Sequence, residues 1–171
     1  YGFFKITEGE SSGLWSVLRL SEDEVLKGSL LITLYENLRW KTISPQGFRD
    51  EMLAYLPNES NSLLFSMALS YLGDCQRIFP SDSRPLEEAL WRIVTTNPVS
   101  QHRLQAFRLY RSIADSEEAV QRLYTLWQER KAPKDCALSE SDYIGLSYIL
   151  AIHLPEKADK IIATQLSRIQ N

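Results

Sequence analysis

The chain has few cysteines and histidines, and it has no long apolar run. Its 171 residues include two cysteines and two histidines. Cys75 and Cys136 lie far apart and form neither a disulfide framework nor a metal-ligand pattern, so we expect both to be buried free thiols. The longest apolar runs, such as residues 62–69, are too short to span a bilayer, and the sequence therefore predicts no membrane span.

Motifs that carry catalytic chemistry are missing as well. The sequence has no Gly-rich phosphate loop, no nucleophile elbow and no His-Glu-x-x-His zinc helix. His153 and Glu156 are three apart, but Pro155 separates them at a helix end, so we expect His153 to be a helix-terminal residue and not a ligand. A net charge of −3 argues against a general nucleic-acid surface. We predict no catalytic residue, no metal ligand and no nucleic-acid partner for this stretch of sequence.

Helix start signals are frequent. Ser21 to Glu24 form a capping box, and Ser44-Pro45 places proline at the first helical position. Further N-cap candidates are Asn58, Ser83, Ser100, Ser116 and Ser139. Between them the apolar spacing is helical, which predicts about nine helices, at 13–20, 22–39, 45–56, 59–79, 85–97, 101–114, 116–130, 140–153 and 156–170.

The helix starts also repeat. Ser21, Asn58, Ser100 and Ser139 follow one another at intervals of about 40 residues, the period per helix pair that is typical of HEAT and armadillo repeats. We therefore predict an all-α fold, an α–α superhelix of antiparallel helices. A compact helical bundle is the alternative. Residues 1–12 are predicted to be the extended end of a preceding β-module or linker, and residues 13–171 a helical-repeat domain.

Apolar stripes predict which face of each helix is buried. The last two helices carry stripes at helical spacing, namely Ile144, Tyr148, Ala151 and Ile152, then Ala158, Ile162, Leu166 and Ile169. A set of aromatic residues is most simply core, and otherwise a platform on which ligand side chains stack: Trp91, Phe107, Tyr110, Tyr124 and Trp127. Asn58-Glu-Ser60 has the form of a glycosylation acceptor, and we favour a helix cap at Asn58 instead.

One cluster could bind a ligand. Arg103, Arg108 and Arg111 fall on one predicted helix, and Arg108 and Arg111 share a face one turn apart. Two guanidinium groups so placed could bind a carboxylate, such as the C-terminus of a peptide, through bidentate bonds. The alternative is a solvated or salt-bridged helix face, with Glu87, Glu88, Glu117 and Glu118 near it in sequence.

Several segments occur in an order that resembles a known family. Residues 1–4 read Tyr-Gly-Phe-Phe, and Leu14 to Leu18 contain a tryptophan helix. Residues 27–38 and 43–45 follow, and then residues 53–59, which end in Glu59. This order resembles the C-terminal helical domain of aminopeptidase N-type zinc metallopeptidases, the family that includes the endoplasmic-reticulum aminopeptidases. Lys27 stands where the family carries Arg, and Tyr35-Glu36-Asn37 looks more like a bacterial branch.

The resemblance implies a non-catalytic domain of a larger enzyme that removes N-terminal residues from peptides. The Gly-x-Met-Glu-Asn and zinc-binding His-Glu-x-x-His motifs would lie upstream of Tyr1, so zinc would be a cofactor of the parent enzyme only. The implied partners are the catalytic domain of the same polypeptide and the peptide substrate, whose cavity the superhelix would cover. A different expectation is a free-standing helical-repeat scaffold that binds a partner protein along its groove.

Overall fold

The computed structural model describes residues 4–169, apart from the side chain of Glu8. Within that range every regular element is helical, which confirms the predicted all-α fold. The nine helices are α1 (Glu8–Leu20), α2 (Glu24–Arg39), α3 (Pro45–Tyr55), α4 (Ser62–Ile78), α5 (Arg84–Thr96), α6 (Ser100–Ile113), α7 (Glu117–Glu129), α8 (Glu140–His153) and α9 (Ala158–Ile169). Short 3₁₀ turns at Leu56–Asn58 and Pro155–Lys157 precede α4 and α9.

Side-chain caps fix most helix starts. Ser44, Ser116 and Ser139 each accept a bond from a backbone N–H in the first turn, as predicted. For α2 the cap is Asp23 and not the predicted Ser21, because the Asp23 carboxylate reaches two orphan N–H groups at once.

Asn58 and Ser100 are not N-caps, whereas Ser83 occupies the predicted N-cap position of α5. For α4 the cap is Asn61 and not Asn58, since the Asn61 side chain likewise reaches two N–H groups. Ser83 precedes α5 without a side-chain capping bond, and Ser100 is the first residue of α6, one position after Val99 at its N-cap.

Helix α1 starts five residues before the predicted position. Thr7 and Glu10 form a capping box at its start, so residues 8–12, predicted to precede the first helix, are helical. Residues 4–7 have no regular structure. Buried Asn37 of α2 accepts a bond from the Ile6 N–H at 3.0 Å and donates to the Phe4 carbonyl at 2.8 Å. Part of the predicted strand, residues 1–3, lies outside the described residues.

The predicted repeat is present in the positions of the even-numbered helices. The N-cap residues of α2, α4, α6 and α8 are Asp23, Asn61, Val99 and Ser139. These residues follow one another at nearly equal intervals of about 40 residues, which confirms the predicted period per helix pair.

The chain forms two compact units, unit 1 (residues 1–81) and unit 2 (residues 82–171). In unit 1, Trp15 of α1 packs edge-on against Phe48 of α3, with 5.6 Å between the ring centroids, and Arg19, one turn later, pairs with Glu51. The contacts follow the same order along both helices, so α1 and α3 run parallel. In the same unit α2 and α4 also run parallel. Gly28 near the start of α2 lies beside Leu64 near the start of α4, and further along the two helices the Tyr35 ring stacks on the Tyr71 ring.

Unit 2 repeats this arrangement. Arg108 and Arg111 of α6 meet Asp142 and Gly145 of α8 in the same order along both helices, so α6 and α8 run parallel. Helices two apart that run parallel, with antiparallel neighbours between them, are the packing of an α–α repeat. Each unit therefore contains stacked antiparallel helix pairs, as the sequence predicted.

The buried faces of α8 and α9 differ from the prediction. In α8 the buried residues include Tyr143, Leu146 and Leu150, and in α9 they are Ile161 and Gln165. The predicted stripes lie half-buried or exposed instead. Helix α8 is apolar on almost every side, so its periodicity does not indicate which face is buried. Packing against α6, α7 and α9 decides which of its residues are buried.

Neither the length nor the hydropathy of any helix within residues 4–169 is sufficient for a membrane crossing.

Candidate functional site: the arginine face of α6

The structure brings two of the three predicted arginines together. Arg108 donates from Nε to Oδ1 of Asp142 at 2.9 Å and from Nη2 to Oδ2 at 3.2 Å. Arg111, one turn later, donates to the Asp142 backbone carbonyl at 3.0 Å. The bidentate carboxylate contact that the spacing predicted is present, but the carboxylate belongs to α8 of the same chain.

Asp142 is the centre of this cluster and is 3% exposed. Its Oδ2 also accepts from the Ser139 backbone N–H at 3.0 Å and from the Ser139 hydroxyl at 2.7 Å, which completes the capping box of α8. Burial alone would raise the pKa of this carboxyl, but the hydrogen bonds from Arg108 and Ser139 outweigh it and lower the pKa to about 2. Asp142 is therefore ionised at neutral pH, and Arg108 gains a raised pKa from the same bond.

Arg111 lies against the backbone of α8 at Gly145. A Cβ at position 145 would lie 2.5 Å from Arg111 Nη1 and 2.8 Å from Cζ. Only glycine leaves room for the guanidinium in this position. Burial lowers the pKa of Arg111, and the charge of Asp142 opposes that shift.

Arg103 has a separate role from the other two. It donates to the Asn97 carbonyl, to the Lys134 carbonyl at 2.8 Å and to the Asp135 carboxylate at 3.4 Å. These contacts hold the loop between α7 and α8 against the start of α6. Asp135 in that loop has a φ of 57°, in the left-handed region that non-glycine residues rarely adopt.

A groove lies beside Arg103. Its volume is about 560 Å³, and it is lined by Ser100, Gln101 and Leu104 of α6 and by residues of the α7–α8 loop, namely Pro133, Asp135, Cys136 and Ala137. Burial raises the pKa of the Cys136 thiol to about 11. The thiol is therefore neutral at physiological pH and contributes an apolar wall to the groove.

The acidic residues near the arginines in sequence bind elsewhere. Glu87 accepts from the backbone N–H groups of Asp115 and Ser116 at 2.8 and 3.1 Å, at the start of α7. Glu88 and Glu118 pair with Arg122. The salt-bridged alternative thus describes Arg108 and Arg111 as the structure places them, with Asp142 as the carboxylate instead of the predicted glutamates.

Unit 1 contains a second buried carboxylate cluster. Glu59 accepts from Lys27 Nζ at 3.0 Å, from the Tyr55 hydroxyl and from the Asn61 backbone N–H at 2.7 Å. The side chain of Lys27 is 16% exposed and that of Glu59 is 1% exposed. Burial opposes ionisation of Glu59, but the bonds from Tyr55, Asn61 and Lys27 leave its pKa lowered.

The aromatic residues divide between core and surface. Within the predicted set, Phe107, Tyr110 and Trp127 are buried, so these three are core residues. Trp91 and Tyr124 are half-buried. A half-buried stack occurs on α2 and α4, where the ring centroids of Tyr35 and Tyr71 lie 4.0 Å apart and the rings are within 4° of parallel. Both tyrosines lie on apolar stripes at helical spacing, but spacing along each helix does not predict that the two rings meet.

Asp142 and Gly145 are the residues that sequence reasoning missed at the arginine cluster. The available signal was a capping box, Ser139 to Asp142, followed three residues later by a glycine inside an apolar helix. No three His, Cys, Asp or Glu side chains come together as possible metal ligands within residues 4–169.

Comparison of the chain with protein-family models, with curated proteins and with solved structures finds no match.

Proposed function

We propose that the chain is the non-catalytic C-terminal helical domain of a zinc aminopeptidase. In this proposal the zinc, its ligands and the general base belong to residues upstream of Tyr1. The helix pairs cover the catalytic site of the same polypeptide and shape the cavity that holds the peptide substrate.

One observation about α2 supports the proposal. Three of the segments that carry the resemblance are described by their contacts, namely Phe4 in the stub before α1, helix α2 and the segment that reaches Glu59. Helix α2 joins all of them through two sets of polar contacts, from Asn37 to Phe4 and Ile6 and from Lys27 to Glu59. These contacts support the proposal, since the resemblance implies that the segments belong to one domain.

Lys27 stands at a position where the family carries Arg, and it pairs with buried Glu59. An Arg at position 27 would carry the same charge to Glu59, and the pairing needs a cation because Glu59 is buried. The substitution of Lys for Arg keeps that charge and replaces a planar fork by a single ammonium.

The decisive experiment is to read the gene upstream of Tyr1 and to assay its full product. We expect a β-sandwich preceded by a His-Glu-x-x-His helix, and hydrolysis of aminoacyl chromogenic substrates that is lost on removal of zinc. The chain by itself should not hydrolyse them with added zinc. Upstream residues that encode further helix pairs, or robust hydrolysis by this chain alone, would overturn the proposal.

The arginine cluster allows a test of peptide holding in the full-length enzyme. The side chain of Arg108 is half exposed although it is paired with Asp142. If its outer edge holds the peptide C-terminus, Arg108→Gln should weaken the hydrolysis of long peptides more than that of dipeptides. The matched control is Arg92→Gln, an exposed arginine on α5. Equal effects on long and short substrates would remove Arg108 from the substrate site and leave it a structural role.

The second candidate function is a free-standing repeat scaffold. The exposed apolar surface of α8 and α9 favours it, since a module that binds another protein presents such a surface. The upstream gene sequence separates the two candidates.

A further inference from the structure

Two guanidinium groups face one carboxylate where α6 meets α8. Arg108 binds both carboxylate oxygens of Asp142, whereas Arg111 approaches that carboxylate only to 3.8 Å, from its Nη1 to Oδ1. Among residues 4–169 the one hydrogen-bond acceptor of Arg111 is the Asp142 backbone carbonyl, at 3.0 Å. Arg111 therefore has no carboxylate within hydrogen-bonding distance, and the cluster sets two positive charges against one negative charge.

Both arginines keep N–H groups that no protein atom accepts. A guanidinium carries its N–H donors in a planar fork, so the carboxylate of Asp142 on the Nε and Nη2 of Arg108 leaves Nη1 directed away from it. In the described part of the chain, Nη1 of Arg108 has no acceptor, and neither do Nε and Nη2 of Arg111. None of these three nitrogens is an enclosed atom without a partner, so solvent and small ions reach them.

Arg111 is largely desolvated. Its side chain is 21% exposed, against 50% for that of Arg108. Burial lowers the pKa of Arg111, the charge of Asp142 opposes that shift, and the charge of Arg108 adds to it. Within the described ranges, no acidic side chain other than Asp142 lies within ion-pair distance of Arg111. A cation in surroundings of low dielectric gains more from an added anion than a fully hydrated cation does.

The protein holds both guanidinium groups in place without a ligand. A Cβ at Gly145 would lie 2.5 Å from Nη1, 2.8 Å from Cζ and 3.1 Å from Nη2 of Arg111, so this guanidinium lies flat against the bare backbone of α8. The Asp142 carbonyl holds Arg111 there, and the Asp142 carboxylate holds Arg108 one turn away on α6. Donors that are fixed beforehand lose little conformational entropy when an acceptor binds.

We propose that Arg108 and Arg111 together bind an oxyanion, a carboxylate or a phosphate group. Their unused N–H groups supply charge-assisted hydrogen bonds, and the oxyanion supplies the second negative charge that Asp142 alone does not provide. A peptide C-terminus and a phosphorylated molecule are two sources of this one chemistry. The inference concerns the chain itself and does not rest on the enzymatic parent, so either proposal stands if the other fails.

The test is an NMR titration of the whole chain that follows the Nε–Hε signals of Arg108 and Arg111 and the backbone N–H signal of Gly145. The probes are inorganic phosphate and, in a second titration, N-acetyl-dialanine, which has one free carboxylate. Sodium chloride at matched ionic strength and the C-terminal amide of the same dipeptide are the references. We expect these signals to shift with saturation for at least one oxyanion, beyond any shift that the references produce.

Two variants change the site without removing its charge. Arg111→Lys keeps the cation and loses the planar fork, and we expect it to weaken binding by about tenfold or more. Gly145→Ala keeps both arginines but displaces the Arg111 guanidinium, so it should weaken binding as well. The matched control is Arg92→Gln at an exposed arginine of α5, which should leave the affinity unchanged. Circular dichroism checks that each variant is folded.

Each result of the titrations decides for or against the site. Saturation by phosphate alone supports the proposal with a phosphate group as the ligand, and saturation by the dipeptide alone supports it with a carboxylate. Shifts that do not saturate, or that chloride reproduces, overturn the proposal. An affinity that both Arg111→Lys and Gly145→Ala leave unchanged also overturns it, and so does an equal loss in Arg92→Gln, because the effect would then be one of overall charge.

Discussion

The two units neutralise a buried carboxylate in different ways. In unit 1, Glu59 faces one ammonium, that of Lys27, and a tyrosine hydroxyl, with the Asn61 N–H completing its bonds. In unit 2, Asp142 faces two guanidinium groups and a capping serine. Both carboxylates lie at or just before a helix start and bind the preceding even-numbered helix, α2 or α6. Each unit therefore places a buried carboxylate near the start of an even-numbered helix, at a different position relative to the N-cap and with a different counter-charge.

The difference in counter-charge has a physical consequence. An ammonium is a point charge that meets one oxygen, whereas the Arg108 guanidinium binds both carboxylate oxygens of Asp142 and Arg111 donates to its backbone carbonyl. Together they fix the orientation of the carboxylate and the distance between the helices. We expect α6 and α8 to depend more on Asp142 than α2 and α4 depend on Glu59.

The largest expected effect is the loss of the Asp142 carboxylate. Asp142→Ala removes the counter-charge of Arg108 and half-buried Arg111 and the side-chain half of the capping box that Asp142 forms with Ser139. We expect the free energy of unfolding to fall by about 3–4 kcal/mol, measured by urea denaturation. The control is Asp82→Ala, whose exposed pair with Arg84 should contribute little. A loss for Asp142→Ala no larger than that of the control would contradict this account of the cluster.

A smaller effect is expected at Glu59. Tyr55 and Asn61 donate to different oxygens of Glu59, so the single oxygen of Glu59→Gln can keep one of these bonds, and the Lys27 ammonium loses its charge partner. We expect a loss of about 2–3 kcal/mol on urea denaturation.

Adding Lys27→Met to Glu59→Gln should recover part of that loss, because no unpaired charge then remains. If the two single losses simply add in the double variant, Lys27 and Glu59 are not coupled.

Acid should act on the same clusters. The pKa of Asp142 in the folded chain is about 2, below its ordinary value of 3.8, so its contribution is fully present above about pH 4 and is lost as the pH falls toward 2. That contribution is about 2 kcal/mol. Asp142→Asn should flatten the fall in unfolding free energy across this window. If the free energy of unfolding of Asp142→Asn falls with decreasing pH as steeply as that of the wild type, other carboxyls account for the fall, such as Glu59 and Glu87 with their lowered pKa values.

The smallest expected effect is that of replacing a helical glycine by alanine, which should stabilise the chain in unit 1 and destabilise it in unit 2. Gly28→Ala in α2 would place its Cβ at 3.7 Å from Leu64 and 3.9 Å from Met67, which are ordinary contacts, so higher helix propensity should stabilise the chain by about 0.5–1 kcal/mol. Gly145→Ala in α8 would displace Arg111 and should destabilise the chain by about 1 kcal/mol net. Thermal unfolding of both variants measures the difference. If both variants shift the unfolding temperature in the same direction, Arg111 moves aside without a loss of stability.

Sequence reasoning is most accurate where one residue decides a local outcome. Ser44, Ser116 and Ser139 are predicted as caps and are caps, since a side-chain oxygen near orphan N–H groups acts within one turn. It is least accurate at α1, where the Thr7–Glu10 capping box starts the helix earlier than apolar spacing predicts.

The face of α8 could not be predicted from periodicity. Residues 143–152 contain both Tyr143, which is buried, and Ile152, which is exposed, and both are apolar. The same limit applies to the arginines, since helical spacing predicts a shared face for Arg108 and Arg111 but not the carboxylate they meet.

The sequence by itself determined the helices, most of their ends and the repeat of one helix pair after another, because caps, proline positions and apolar spacing act through neighbouring residues. Only the tertiary structure decided that Arg108 and Arg111 bind Asp142, that Lys27 binds Glu59, and that α8 and α9 leave one apolar side exposed. These features depend on which helices meet. An all-apolar helix such as α8 or a row of arginines such as that of α6 offers several favourable partners, and packing selects one.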